Sequence, residues 1–221
     1  MAGRCLLYYI TDRSQFRGDE RTRRRDLLAK VAEAARACVD YIQLREKDLS
    51  TRELEMLERE VVAIVRQNSS LTRLLINSRT DVALAAGADG VHLRGDDVVP
   101  CEVRQVLEAG GLQRLKPLTT DHFLVAASCH SKEDVIRADA EGADFAVFAP
   151  VFEKNKAPGT QPAGLAALHQ ACRGKIPVLA LGGVTMGNAA SCLDAGAAGV
   201  AGIRLFQENK IEDVVRALRA L

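Results

Sequence analysis

Short apolar runs alternate with longer amphipathic stretches along the chain, and each run breaks off at a polar or glycine-rich turn. Cys5 to Ile10 is the first β-prone run, stopping at Thr11-Asp12-Arg13. After a basic, polar segment, Leu27, Leu28, Val31 and Ala35 fall at helical spacing and predict a helix over Arg24 to Ala37. Tyr41 to Leu44 is the second strand and ends abruptly in Arg45-Glu46-Lys47. Ser50 stands three residues before Glu53, the capping-box spacing, and opens a helix to about Gln67. Arg73 to Ile76 predicts a third strand, Thr80 to Ala86 a helix stopped by Gly87, and Gly90 to Leu93 a fourth strand. Val98 to Ala109 reads as a helix halted at Gly110-Gly111, with strand Phe123 to Ala127 after it. Ser131 with Asp134 caps the next helix, and Asp144 to Phe148 is the sixth strand. Helix Gly164 to Cys172, strand Val178 to Leu181, a helix after Gly182-Gly183, strand Gly199 to Ala201 and a last helix to Leu221 complete the series.

One phrase recurs. Ala86-Gly87-Ala88-Asp89-Gly90-Val91, Glu141-Gly142-Ala143-Asp144-Phe145-Ala146 and Ala195-Gly196-Ala197-Ala198-Gly199-Val200 each stop a helix at glycine and turn directly into a short apolar strand. Repeated helix-to-strand units imply a parallel sheet wrapped by helices. Eight of them in one chain fit a single-domain (β/α)8 TIM barrel spanning residues 1–221. The rival, an open doubly wound sheet, is weakened because Gly182-Gly183 lacks the spacing of a dinucleotide fingerprint.

Composition narrows the partners. The 221 residues carry a net charge of +1, which gives no footprint for nucleic acid and no membrane-seeking surface. No apolar run is long enough for a membrane span, and the start of the sequence lacks the apolar stretch of a signal peptide. Six scattered cysteines, without metal-type spacing, suit a reducing cytoplasm. The expectation is a cytoplasmic protein acting on small phosphorylated molecules, and self-association into a homo-oligomer is left open.

In a parallel barrel, chemistry gathers at the carboxyl ends of the strands. Those ends offer Arg45, Lys47 and Asn77, then Asp96-Asp97, Ser128 and His130. Two cations after a strand make a seat for a phosphorylated ligand, although an ordinary solvated loop reads the same way. Gly182-Gly183 and the turn Gly202-Ile203-Arg204 stand where barrels build a phosphate site from backbone N–H groups. The Asp96-Asp97 pair suits magnesium, or else only an acidic helix start. His130 is a candidate acid–base group, while His92, inside a strand, reads as structural. No Ser–His or Cys–His pair is visible from spacing. The irregular stretch Phe152 to Pro162, with Lys156, reads as a functional loop or lid.

The chain resembles the thiamine phosphate synthase and thiazole tautomerase (TenI-type) superfamily nearly end to end. The likeness rests on Tyr9-Ile10-Thr11-Asp12, Ile42-Gln43-Leu44-Arg45-Glu46-Lys47, Ile76-Asn77 and Ala88-Asp89-Gly90-Val91-His92-Leu93. It continues through Gly142-Ala143-Asp144, Pro150-Val151-Phe152, Leu181-Gly182-Gly183-Val184 and Ala197-Ala198-Gly199-Val200. The resemblance implies a barrel that joins hydroxymethylpyrimidine diphosphate to thiazole phosphate, releasing pyrophosphate. It implies that Gln43, Arg45, Lys47 and Asn77 hold the pyrimidine diphosphate, that Asp97 binds Mg2+, and that Ser128 and Lys156 serve the reacting groups. Gly183, Ile203 and Arg204 would hold the thiazole phosphate.

Three departures lie on the diphosphate and metal side. Ser78 stands where synthases usually have a second aspartate, Glu153-Lys154-Asn155-Lys156 replaces a Pro-Thr-x-Thr-Lys loop, and Arg94-Gly95 replaces Gly-Gln. These changes are what a tautomerase would show, with His130 as its acid–base catalyst and no metal. Retention of Lys47, Asn77, Asp97 and Lys156 places the synthase first. A barrel that binds thiazole phosphate or thiamine phosphate without turnover is the third alternative.

Overall fold

Eight strands pair in parallel, in chain order, and close on themselves: β1 (Leu6–Ile10), β2 (Tyr41–Leu44), β3 (Arg73–Asn77), β4 (Gly90–Leu93), β5 (Leu124–Cys129), β6 (Phe145–Phe148), β7 (Val178–Ala180) and β8 (Gly199–Gly202). The computed structural model describes residues 4–110, 122–153 and 161–221. Around the barrel lie α1 (Glu20–Arg36), α2 (Thr51–Asn68), α3 (Thr80–Ala86), α4 (Pro100–Ala109) and α5 (Lys132–Ala140). They are followed by α6 (Gly164–Ala171), α7 (Ala189–Asp194), α8 (Arg204–Gln207) and α9 (Ile211–Arg219). The expected (β/α)8 barrel is borne out. No helix among the described residues is long and apolar enough to cross a membrane.

Local chemistry sets the element ends. The Ser50–Glu53 and Ser131–Asp134 capping boxes both form. Gly87, at φ +77°, ends α3 in the left-handed turn expected of it. Two helices differ from expectation. α1 begins at Glu20 rather than Arg24, because Asp19 accepts the Thr22 N–H and starts the helix inside the basic segment. The last helix is two, α8 and α9, separated by a break at which Asn209 Nδ2 donates to the Leu205 carbonyl and Ile211 N–H donates to Glu33 Oε1.

Alternation along the strands divides the core into two layers. Leu7, Tyr9, Ile42, Leu74 and Ile76 face the helices, whereas Tyr8, Ile10, Leu75, Ala126, Val147 and Leu179 fill the barrel axis. Three aspartates, each immediately before an even-numbered strand, fasten the amino-terminal rim to the preceding strand. Asp40 Oδ2 accepts Leu7 N–H at 2.7 Å, Asp89 Oδ2 accepts Leu74 N–H at 2.7 Å, and Asp144 Oδ2 accepts Val125 N–H at 2.6 Å. Each is paired with an arginine, Arg219, Arg66 and Arg104 respectively.

Candidate active site

Stepping in twos along each strand, past the apolar axial layer, gives the positions that open at the carboxyl-terminal rim. On β2 and just beyond it these are Gln43 and Arg45, at the end of β3 Asn77, on β4 and just beyond it His92 and Arg94, and on β5 and just beyond it Ser128 and His130. Past β7 and β8 they are Gly183 and Ile203. All of them line one cavity of about 1260 Å³, together with Gly182 and Arg204. Eight residues proposed from the sequence therefore meet: Gln43, Arg45, Asn77, Ser128, His130, Gly183, Ile203 and Arg204.

Three do not join them. Lys47 is exposed on the loop after β2 and lies outside the cavity lining. Asp97 lines a separate, smaller cleft with Val98 and Arg137. Lys156, and with it most of the loop expected over 152–162, lies outside the described residues.

The β2 end is built around a buried anchor. Thr11 Oγ1 donates to Glu46 Oε1 at 2.6 Å, and Arg13 joins Glu46 and Asp48. Thr11 Oγ1 also accepts the Arg45 N–H at 3.0 Å, so the anchor fixes the backbone from which Arg45 projects. The Arg45 guanidinium has no hydrogen bond or ion pair among the described residues. Burial lowers its pKa, and Asp12 and Glu46 nearby do not fully offset this. A half-buried arginine without a counter-ion is a seat for an anion.

At the β7–β8 end the gripping groups are backbone. Gly183 has φ +66°, and a Cβ there would stand 2.6 Å from the Glu153 carbonyl oxygen and 2.7 Å from Phe152 Cβ. Only glycine fits. The N–H groups of Gly183, Val184, Ile203 and Arg204 make no hydrogen bond among the described residues, and all four residues line the cavity. Such a set of open donors suits a phosphate.

The β3–β4 end is occupied by its own contacts. Ser78 holds φ +64°, a left-handed conformation that asparagine and aspartate tolerate better, and its Oγ accepts from Asn77 Nδ2 at 3.0 Å. Arg94 pairs with Asp96, while Asp97 Oδ2 accepts the Arg94 N–H at 2.7 Å. No cluster of three metal-ligating side chains exists among the described residues. Asp97 keeps Oδ1 without a hydrogen bond among the described residues, but it lines the smaller cleft, so the cavity itself does not assemble a magnesium site.

Histidine and serine meet across the barrel. His92 lies inside β4 as expected, and it also lines the cavity, with Nδ1 3.2 Å from Tyr8 Oη and Nε2 2.8 Å from Ser128 Oγ. A Ser–His pair therefore exists, invisible in spacing because the β4–β5 register (His92 opposite Ala126) brings together residues 36 positions apart. Counting back in twos from Arg94 would have found it. Burial, then the Arg45 charge, lowers the His92 pKa to about 3, so its ring is neutral. Cys129 is pushed up to about 12 by burial and is no nucleophile. His130 is held by its Nδ1–H donating to the Ala149 carbonyl at 2.6 Å, which leaves Nε2 without a partner among the described residues.

Comparison with known proteins decides the family. A family model described as thiamine monophosphate synthase matches residues 7–206. The chain belongs to the thiamine monophosphate synthase family. The thiamine-phosphate synthase of Methanoculleus marisnigri is 37% identical, over 96% of this chain and 93% of its own. That of Chlorobium luteolum is 36% identical, over 88% of this chain and 86% of its own. Among solved structures, thiamine phosphate pyrophosphorylase from Pyrococcus furiosus superposes with a TM-score of 0.76 at 28% identity, covering 97% of this chain and 94% of that one. The synthase expectation drawn from the sequence is thereby borne out.

Proposed function

We propose that the chain is a transferase that joins hydroxymethylpyrimidine diphosphate to thiazole phosphate and releases pyrophosphate. The observation that carries this reading is a pair of anion seats in one cavity: the unpaired Arg45 with Asn77 at β2–β3, and the four open N–H groups at β7–β8. One substrate brings a diphosphate and the other a monophosphate, so two seats are what the reaction requires. Arg45 and Asn77 hold the leaving diphosphate as the bond from the pyrimidine methylene carbon to its oxygen breaks. The electron pair stays with pyrophosphate, and the thiazole nitrogen closes on the carbon. Charge stabilisation rather than proton transfer does most of the work. Gln43 and Ser128 orient the rings, and Gly183, Ile203 and Arg204 keep the thiazole phosphate in place. Asp97 is assigned to magnesium, which would supply positive charge to the diphosphate, by its place in the motif alone. Lys47 and Lys156 are assigned to the same substrates by their place in the motif alone.

We place the protein in the cytoplasm, in keeping with six free cysteines. Its partners on this reading are small phosphorylated substrates, with neither nucleic acid nor membrane among them, and self-association is compatible with it. A second reading, the thiazole tautomerase, is favoured by one feature: the open Nε2 of His130 beside the cavity. Pyrophosphate release from the two substrates, with and without magnesium, tests the choice. Magnesium-dependent release is expected. Absence of release while thiazole phosphate still binds would favour the tautomerase or the non-catalytic binder, and His130→Asn would separate those two.

A further inference from the structure

Four buried or half-buried polar side chains form a continuous line across the barrel axis. Gln43 Nε2 donates to Tyr8 Oη at 3.0 Å, Tyr8 Oη lies 3.2 Å from His92 Nδ1, and His92 Nε2 lies 2.8 Å from Ser128 Oγ. Tyr8, Gln43 and His92 are sealed from solvent, at 0%, 2% and 3% exposure, so water does not compete for these bonds. Gln43, His92 and Ser128 line the cavity and Tyr8 does not; Gln43 and Ser128 are the two ends of the line.

Counting protons gives the line a direction. Tyr8 has one hydroxyl hydrogen, and its oxygen already accepts from Gln43. Among the described residues His92 Nδ1 is the only partner able to accept that hydrogen, so a fully satisfied Tyr8 hydroxyl donates there. A neutral imidazole carries one proton, so His92 carries it on Nε2 and donates it to Ser128 Oγ. Burial keeps the ring neutral across the working range, which closes off the doubly protonated form. Ser128 then accepts from inside and has its own O–H free to donate outward.

We infer that Gln43, Tyr8 and His92 form a one-way relay that fixes Ser128 as a hydrogen-bond donor to the bound ligand. Two things follow. The Ser–His pair runs in the wrong sense for a nucleophile, because His92 gives a proton to Ser128 and has no lone pair to take one. The ligand atom at Ser128 is an acceptor, such as an aromatic ring nitrogen or a phosphate oxygen, and an analogue with N–H or C–H there is disfavoured. Tyr8 and His92 are positioning residues. The ligand side of this inference rests on the proposed transferase, whereas the direction of the relay does not.

Ring-nitrogen NMR of the 15N-labelled, ligand-free protein reads the direction without any assay. With four histidines in the chain, His92→Gln identifies the signals by their loss. His92 is expected as the Nε2–H tautomer, unchanged from about pH 5 to about pH 9. The Nδ1–H tautomer, or titration within that range, would overturn the relay. In Tyr8→Phe the ring loses the donor that fixes it, and a mixture of tautomers is expected; a persisting single Nε2–H form would also overturn it. The ligand side is read by a double-mutant cycle on kcat/KM. Tyr8→Phe should cost about tenfold alone but less than about twofold in the Ser128→Ala background. Full additivity would sink the coupling, and a parent with no turnover would instead count against the transferase, leaving the tautomer result standing.

Discussion

At the β7–β8 end of the cavity the groups able to grip a ligand are backbone N–H donors, fixed where only glycine fits at 182–183. At the β3–β4 end they are side chains, Asn77, Arg94 and Asp96, already engaged with Ser78 or with one another. The first end depends on conformation and tolerates almost any side chain nearby. The second depends on the identity of each side chain, and it is here that Ser78 and Arg94 depart from the usual pattern of the thiamine monophosphate synthase family.

Substitutions at each end should separate these roles. Arg45→Ala removes the unpaired cation of the β2 end and is expected to lower turnover by at least about 100-fold. Thiazole phosphate affinity, measured by calorimetry, should stay nearly unchanged; loss of both would dissolve the distinction between the two seats. Gly183→Ala forces an L side chain into the left-handed region and against Phe152. It should weaken thiazole phosphate binding about tenfold, from a strain of ~1–2 kcal/mol, with diphosphate binding spared.

The smallest effect on activity is expected from Glu58 of α2, fully buried with no hydrogen-bond partner for either carboxylate oxygen among the described residues. Burial raises its pKa from 4.5 to about 9, and the charges acting on it are, in falling order, Arg59 and Glu55 of α2, then Asp81 and Arg79 at the start of α3. Its folded pKa lies above the unfolded one, so the unfolded chain gives up the proton first. Its stability contribution is therefore fully present below the unfolded value and drains as pH rises toward the folded one, by up to about 1.4 kcal/mol per pH unit. Glu58→Gln should match the parent in thermal stability near pH 5 and exceed it near pH 8. Hydrogen exchange in the parent should quicken with pH in α3 beyond the intrinsic rate, but not in α7. Equal pH profiles for the two proteins would refute the burial effect.

Much of this architecture is legible in the sequence, for identifiable reasons. Every strand announces itself as a short apolar run between turn residues, and the helix-to-strand phrase ending at Gly90, Phe145 and Gly199 gives the alternation. The start of α1 was hidden because Arg21, Arg23, Arg24 and Arg25 look like a solvated loop, although Asp19 is a sound cap. Site residues at strand ends were found because position along a strand can be read from the chain. The hydrogen bonds of His92 and Tyr8 are not legible in the sequence because their partners lie on other strands, and register is a property of the closed barrel. The place of Asp97 is not legible because a motif match gives its position along the chain and not which cleft its side chain enters.

The three aspartate–arginine fastenings sit at the rim opposite the cavity. Asp40, Asp89 and Asp144 hold β1, β3 and β5 from below, and none of them lines the site. A barrel tied at one rim lets the loops at the other be exchanged at little cost to the fold. Descent with altered chemistry then needs no detour through a poorly folded ancestor. A position such as Ser78 can change, change back, or be joined by a further substitution, while each successive sequence still closes the same eight strands.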